Sequence, residues 1–211
     1  MKVLSFIVFD ASEARRAGTG KEEFLAAFGD IEADVFSYST IGLKPADFLL
    51  WFRAGSPEAI QNSVAKILKT EIGKNLRIRD SFLAFTRESV YVKKHDSQEQ
   101  AVDGQREKYL IVYPFVKTVE WYLLPFEERQ KLMNEHIVAG KKFPQVKQIL
   151  GYSFGIDDQE FTVVYETNEL EGFQDLVKAL RETQSRKYTL RDTPIYLGIK
   201  KSMKEIVDSI L

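Results

Sequence analysis

The sequence predicts an α+β fold made of two tandem ferredoxin-like repeats, of the dimeric α+β barrel type. The first observation is an internal duplication, in which YSTIGLKPADFLLWF from Tyr38 matches YSFGIDDQEFTVVY from Tyr152. The second is the order of the hydrophobic periods, which indicates strand, helix, strand, strand, helix, strand in each half. That order is the ferredoxin-like, split βαβ pattern. Two such sheets, each with helices on one face, can pack together and leave a cavity between them or beside one.

The elements are expected in the same order in both repeats. In the first repeat we expect strands at 2–9, 33–40, 47–54 and 79–87 and helices at 20–29 and 57–71. In the second we expect strands at 108–116, 146–154, 160–167 and 190–198 and helices at 125–141 and 169–184. The charged, glutamine-rich segment at 91–107, which contains His95, is predicted as an exposed linker. It divides a first domain at residues 1–90 from a second at 108–211.

Composition excludes several classes of protein. The 211 residues, 44% hydrophobic and 29% charged, are typical of a globular chain that buries a sizeable core. A net charge of −1 gives no electrostatic reason to expect nucleic acid as a partner. Because the chain has no cysteine and two histidines, thiolate sites, Fe–S clusters and multi-histidine zinc sites are not expected. No apolar run approaches a membrane span, so we expect a soluble, cytoplasmic protein.

Two polar residues interrupt apolar stripes in the second repeat. His136 shares a helical stripe with the residues Phe126, Leu132, Met133, Ile137 and Gly140. Gln148 lies on a predicted strand in phase with Val146, Leu150 and Tyr152. Burying either without a partner costs a few kcal/mol, so each is expected to have one. By itself, a histidine on such a stripe is usually a core residue with a hydrogen-bond partner.

Three ordered motifs carry a family resemblance: KYLIVYPFVKTVEWYLL, LMNEHIVAGKKFPQVKQILGYSFGIDDQEF and LRDTPIYLGI. Together they cover roughly the C-terminal half, which resembles the chlorite dismutase-like superfamily of heme proteins and, within it, the coproheme decarboxylase branch most closely. The resemblance implies heme b or iron coproporphyrin III as cofactor, with His136 as the proximal iron ligand. It places Gln148 on the distal side of the iron, where true chlorite dismutases carry an arginine. The first repeat has no histidine on its first helix, so one site per chain is expected.

The resemblance also implies roles for two residues of the first strand in the second repeat. The decarboxylases carry a tyrosine in a similar Tyr-Pro motif, with a lysine four residues on. By that likeness Tyr113 is the radical tyrosine that abstracts hydrogen from a propionate, and Lys117 is a propionate contact or proton donor. Strand alternation puts both on one face. From the residues alone, Tyr113 would be a packing residue and Lys117 a solvated one.

The partner of the histidine and the type of reaction follow from two further positions. In chlorite dismutases a glutamate accepts the second imidazole N–H. Counting from the GIDD turn places Ser185 there, with Glu182 about one turn before it as the alternative. Gln148 supplies hydrogen bonds but no charge, so turnover of anionic chlorite is not expected.

The function that these expectations support best is peroxide-dependent oxidative decarboxylation of iron coproporphyrin III to heme b. The expected partners are the tetrapyrrole and hydrogen peroxide, and by resemblance the chain is a homo-oligomer, with a pentamer favoured. One alternative is a heme protein of the same fold that stores, senses or slowly peroxidises. The other is a heme-free α+β barrel that binds a ligand or acts as a scaffold, since one fold hosts many functions.

Overall fold

The computed structural model describes residues 1–92 and 101–211 and confirms the α+β class. Its contacts divide the chain into two compact units. The first unit contains Met1–Thr86 and Tyr196–Leu211, and the second contains Arg87–Ile195. Each unit has the strand, helix, strand, strand, helix, strand order that the sequence predicts. The histidine of the predicted linker, His95, lies outside the described residues.

The first unit is an antiparallel sheet with helices. Its strands are β1 Val3–Asp10, β2 Asp34–Ser39, β3 Phe48–Ala54, β4 Arg77–Thr86 and β9 Tyr196–Lys200. The order across the sheet is β4, β1, β3, β2 and β9. Its helices are α1 Ser12–Ala17, α2 Lys21–Ala27, α3 Pro57–Lys69, α4 Glu71–Lys74 and α8 Met203–Ile210. Ser56 begins α3 because its side chain accepts a hydrogen bond from the Ala59 N–H at 3.2 Å.

One hydrophobic core closes the helix side of this first sheet. Phe9 and Phe48 are each 1% exposed, and their rings stack with centroids 5.0 Å apart. Phe24 of α2 is fully buried in the same cluster. The C-terminal helix α8, capped by Ser202, adds Met203, Ile206 and Val207 to the core. The central helix-facing residues of this sheet are therefore covered by protein, whereas Val35, Leu83 and Phe85 are partly buried.

The second unit repeats that topology. Its strands are β5 Tyr109–Lys117, β6 Lys147–Tyr152, β7 Phe161–Thr167 and β8 Thr189–Arg191. They are antiparallel in the order β6, β7, β5, β8, which matches the order β2, β3, β1, β4 of the first unit. Its helices are α5 Val119–Leu123, α6 Phe126–Gly140 and α7 Leu170–Arg181, followed by the 3₁₀ helix Gln184–Tyr188.

The duplicated turns keep the same hydrogen bonds. Gly42 and Gly155 occupy equivalent left-handed positions, with φ of 74° and 72°, where a side chain would be strained. Asp47 accepts from the backbone N–H of Ala11 at 2.6 Å, directly after β1. Glu160, its equivalent, accepts from the backbone N–H of Lys117 at 2.7 Å at the end of β5. The internal repeat in the sequence is thus a structural repeat.

The C-terminal part of the chain differs from the prediction. The single strand expected at 190–198 is two strands, β8 and β9, which belong to different units. Pro194 lies between them and has no N–H for a strand ladder. The segment Tyr196–Leu211, which the predicted boundary assigns to the second domain, packs with the first unit and contributes β9 and α8 to it.

The described end of the predicted linker is only partly exposed. The side chain of Arg106 is 2% exposed and lies 3.3 Å from the Glu166 carboxylate, which is fully buried. Arg106 also donates to the backbone carbonyl of Ala101 at 2.6 Å. The prediction of an exposed loop holds for residues 103–105 but was wrong for Arg106, whose buried ion pair joins this segment to β7. No helix in the described part of the chain has the length and hydropathy needed to cross a membrane.

Candidate functional site

The candidate residues on the second sheet share one face. Tyr165 of β7 pairs with Ile111 of β5 and with Gln148 of β6. Because side chains alternate along a strand, Tyr113 and Lys117 project from the same face as those three. The ring of Phe173 on α7 lies 5.2 Å from that of Tyr165, so this face is the helix side. The structure therefore places the predicted residues Tyr113, Lys117 and Gln148 on a common surface.

The two faces of this sheet differ in burial. On the face away from the helices, Leu110, Val112 and Val164 are fully buried. The helix side is mixed: Ile111, Val163 and Tyr165 are buried, whereas Tyr113 and Phe161 are only partly buried and Gln148 is exposed. The prediction of a buried, partnered Gln148 was wrong, and its side chain makes no hydrogen bond within the described residues. Apolar and aromatic surface on the helix side is thus left uncovered by the protein itself.

The helix that carries the histidine shows the same feature. Among the residues of α6 none is fully buried, although Leu132, Met133 and Ile137 form an apolar stripe. The helix contacts α7 and the 3₁₀ helix. An amphipathic helix normally buries such a stripe. A planar, largely apolar ligand on the helix side of the sheet could cover it.

His136 is a neutral imidazole with one free nitrogen. Burial, and secondly the positive charge of Lys117, lowers the pKa of His136 to about 4. Its Nδ1 lies 3.4 Å from Oγ of Ser185, and Nε2 has no hydrogen-bond partner within the described residues. Of the two predicted partners of His136, Ser185 therefore makes the contact, whereas Glu182 is exposed. Neutral imidazole with an unused lone pair is the form that binds iron.

Lys117 is a cation held in a partly apolar environment. Burial lowers the pKa of Lys117 to about 8. Its Nζ lies 4.3 Å from the ring centroid of Trp121 and donates to the backbone carbonyl of Ser185 at 3.4 Å. Trp121 is 3% exposed, as expected for a core residue. A weakly hydrated ammonium of this kind attracts a carboxylate more strongly than a solvated one does.

Tyr113 retains its phenolic proton at neutral pH. Burial raises the pKa of Tyr113 to about 12. Its ring centroid is 6.2 Å from that of Tyr165. A protonated phenol at this place can donate a hydrogen atom or a hydrogen bond.

Sequence reasoning missed a charged cluster beside these residues. Asp192 accepts from Arg186 at 2.6 Å and from Arg181 at 3.3 Å. The charges of all three act on Tyr113, and that of Arg186 also acts on Lys117. The segment LRETQSRKY shows the basic residues, but their approach to β5 depends on the 3₁₀ helix.

The side chains at this site fit a metal cofactor that itself contains most of the ligands of its metal. Within the described residues, no group of three or more histidine, aspartate or glutamate side chains could hold a metal ion. A heme iron is bound by four porphyrin nitrogens and needs one axial imidazole from the protein. The free Nε2 of His136 would supply that nitrogen, and Lys117 would supply a cation for a propionate. Uncovered apolar surface on the sheet and on α6 fits the macrocycle.

Comparisons with known proteins identify relatives of this chain. The family model described as chlorite dismutase matches residues 16–201. The coproheme decarboxylase of Mycolicibacterium smegmatis is 33% identical over 175 residues, which cover 81% of this chain and 74% of that protein. The chlorite dismutase of Ideonella dechloratans is 26% identical over 214 residues, covering 96% and 75%.

Solved structures show the same fold. A mutant chlorite dismutase from Candidatus Nitrospira defluvii, with a tryptophan changed to tyrosine and an arginine to glutamine, superposes with a TM-score of 0.86. It is 26% identical, and the match covers 99% of this chain and 95% of that one. The imidazole complex of chlorite dismutase from the same organism gives a TM-score of 0.85 at 25% identity, covering 99% and 94%. With a family model that spans most of its length, this chain belongs to the chlorite dismutase family.

Proposed function

We propose that this chain is a heme-dependent oxidoreductase that converts iron coproporphyrin III to heme b by oxidative decarboxylation, with hydrogen peroxide as oxidant. The observation that carries the proposal is a neutral His136 with a free Nε2, held near the cation of Lys117 beside a partly uncovered apolar face. The relative with 33% identity is itself a coproheme decarboxylase. Heme b and iron coproporphyrin III are the cofactors that family membership and this donor set support.

In this proposal His136 holds the iron through Nε2. Its neutral form at physiological pH means that no proton must leave before the bond forms. A hydrogen bond between the Gln184 N–H and Glu135, at 3.1 Å, ties the histidine helix to the 3₁₀ helix. That contact fixes the position of the imidazole. When bound, the iron porphyrin supplies the redox chemistry with peroxide.

Lys117 orients the substrate. Coproporphyrin differs from heme b in carrying propionates where heme b carries vinyl groups. The desolvated ammonium of Lys117 is placed to pair with one of these carboxylates, because the Trp121 ring and the Ser185 carbonyl hold it on the helix side of β5. The pair would hold the reacting side chain near Tyr113, four residues before it on the same strand face.

Tyr113 supplies the hydrogen-abstracting group. Its phenol loses an electron and a proton, and the resulting tyrosyl radical takes a hydrogen atom from a propionate carbon. Each propionate that reacts becomes a vinyl group, with release of carbon dioxide, one proton and two electrons. One hydrogen peroxide accepts the two electrons, together with that proton and a second proton from solvent, and becomes two water molecules. Two propionates therefore consume two peroxides.

Gln148 argues against chlorite as the substrate. Its side chain is a neutral amide on an exposed part of the site face. It can donate a hydrogen bond to a bound oxidant but gives no positive charge to hold an anion or its anionic product. Decarboxylation tolerates this position better, because the porphyrin is itself the reductant.

The proposal is tested with the full chain and iron coproporphyrin III. We expect a saturable Soret change, and after addition of peroxide two successive mass losses of about 46 Da each, the mass of carbon dioxide and two hydrogens. Tyr113→Phe should bind the porphyrin and show no mass loss. Tyr152 lies on β6, on the same face of the sheet as Tyr113. Tyr152→Phe is therefore the matched control and should react normally.

Other results of this experiment would favour the alternative functions. Binding without mass loss in the unmodified chain would favour a heme protein that stores, senses or slowly peroxidises. No Soret change would leave a heme-free member of the fold. Mass loss in Tyr113→Phe would refute the radical assignment.

A further inference from the structure

A short chain of hydrogen bonds links His136 to the end of α7. The Thr183 hydroxyl donates to the backbone carbonyl of Leu180 at 2.7 Å. Oγ1 of Thr183 lies 3.0 Å from Oγ of Ser185. Oγ of Ser185 in turn lies 3.4 Å from Nδ1 of His136. Thr183 and Ser185 are 6% and 3% exposed, so water has little access to compete for these bonds.

The direction of each bond follows from the number of protons. A hydroxyl has one proton to donate, and a carbonyl oxygen can only accept. Thr183 uses its proton at Leu180, so between the two hydroxyls it must accept from Ser185. Ser185 then has no proton left for the imidazole. Its oxygen must accept, and the donor is the Nδ1–H of His136.

We propose that Ser185 and Thr183 are positioning residues that hold His136 as the Nδ1–H tautomer and leave the Nε2 lone pair for iron. The iron-binding part of this inference rests on the proposed function. The tautomer is a property of the protein alone. Second-partner hydrogen bonds of this kind fix both the ring orientation and the basicity of a metal-binding histidine.

Comparison of the two repeats shows which hydrogen bond of this arrangement occurs in both units and which residue occurs only in the second. In the first unit Thr70 occupies the place of Thr183, and its hydroxyl also donates to a helix carbonyl, that of Ile67, at 2.7 Å. At the place of Ser185 the first unit has Ile72, which is 4% exposed in the apolar core. The threonine bond is common to both units. A hydroxyl at position 185 occurs only in the unit that has the histidine.

A neutral acceptor has a consequence for the iron. A carboxylate partner would draw the Nδ1 proton strongly and make the imidazole a stronger donor. Ser185 accepts without a charge. Replacing it with a carboxylate should therefore lower the ferric–ferrous midpoint potential of the bound iron porphyrin.

The tautomer is measured first in the full chain without porphyrin. The chain has two histidines, so a long-range ¹H–¹⁵N spectrum of histidine-labelled protein near neutral pH contains two imidazoles, and His95→Gln assigns them. We expect His136 to be protonated at Nδ1. In Thr183→Val, Ser185 loses its acceptor and its proton becomes available for Nδ1. His136 should then shift to the Nε2–H tautomer although Ser185 is unchanged.

Matched variants exclude a general structural effect. Thr183→Ser keeps the hydroxyl and should restore the Nδ1–H tautomer. Thr70→Val removes the equivalent helix-end bond from the first unit, where there is no histidine, and should leave the imidazole spectrum unaltered. An Nε2–H tautomer in the unmodified chain, or an unchanged spectrum in Thr183→Val, would overturn the proposal.

Porphyrin binding provides the second readout. Ser185→Ala should weaken binding of iron coproporphyrin III by about tenfold, as loss of such partners typically does. Ser185→Asp should lower the midpoint potential. If the Nδ1–H tautomer is found but His136→Ala binds the porphyrin normally, the hydrogen-bond relay stands and iron ligation by His136 fails. If His136→Ala loses binding but the tautomer is Nε2–H, the relay alone fails.

Discussion

The two units have the same strand order and the same turns but close the helix side of their sheets differently. In the first unit Phe48 is 1% exposed and is covered by Phe24 and the C-terminal helix α8. In the second unit the equivalent Phe161 is only partly buried, and α6 has no fully buried residue. One repeated framework thus gives a closed core in one copy and an open, partly apolar face in the other. The helix α8, which has no counterpart after the last strand of the second unit, supplies part of this cover.

Single equivalent positions show the same contrast. Ile72 packs in the first core, whereas Ser185 contacts His136 in the second unit. Arg53 forms an ion pair near the surface of the first unit, whereas Glu166 forms a buried one in the second. Ile72 therefore contributes an apolar contact to the first unit, whereas Ser185 is a polar side chain beside the histidine that we propose binds iron. We expect substitutions at equivalent positions to have unequal effects in the two units.

The two equivalent phenylalanines should differ in their effects on both stability and porphyrin binding. Phe48→Ala should lower the free energy of unfolding by about 3–5 kcal/mol, because it opens a cavity in a closed core. Phe161→Ala should cost roughly half of that or less, since the side chain is already partly accessible. Urea unfolding curves measure both. Equal losses in the two variants would mean that the second unit also has a closed core. Only Phe161→Ala should weaken porphyrin binding.

The ion pairs give a second contrast. Glu166→Gln should cost about 3–5 kcal/mol, because it removes a buried carboxylate charge that faces the buried guanidinium of Arg106. Asp34→Asn, which breaks the pair with Arg53 where the Asp34 side chain is 61% exposed, should cost less than about 1 kcal/mol. Thermal unfolding at low and high salt distinguishes them. A loss from Asp34→Asn as large as that from Glu166→Gln would contradict this ranking.

The smallest expected contrast concerns pH. Lys117 is charged below its pKa of about 8, and the propionates stay ionised across this range, so affinity for iron coproporphyrin III should fall as pH rises through about 8. Lys117→Met should bind about tenfold more weakly at neutral pH, a loss of about 1.4 kcal/mol, and should lose this pH dependence. Lys131→Met, an exposed lysine on α6, is the control. Binding in the unmodified chain that does not vary with pH would exclude the ion pair.

Local patterns were enough to predict much of the fold. Strand alternation placed Tyr113 and Lys117 on one face, and helical periodicity placed His136 on the apolar side of α6, because both depend only on neighbouring residues. The repeated turns around Gly42 and Gly155 were visible as sequence identity. These features need no knowledge of distant contacts.

Distant contacts explain what the sequence did not predict. Arg106 resembles a linker residue until Glu166, sixty residues later, supplies its counter-charge. The helix α8 follows the expected last strand, but the core that it completes belongs to the first unit. Burial of Gln148 was predicted from strand phase, yet exposure depends on what covers that face. Ser185 and Glu182 could be separated only once the 3₁₀ helix was known to turn Ser185 toward His136.

The most direct test of the central claim is a titration of iron coproporphyrin III into three full-length proteins, followed by the Soret band. The unmodified chain and His95→Ala should show the same saturable spectral change. His136→Ala should lose it, because His136 is the histidine proposed to bind the iron, and His95→Ala tests whether the other histidine of the chain contributes. An unchanged titration in His136→Ala would contradict the assignment of the second unit as the porphyrin-binding copy of the repeat through this histidine.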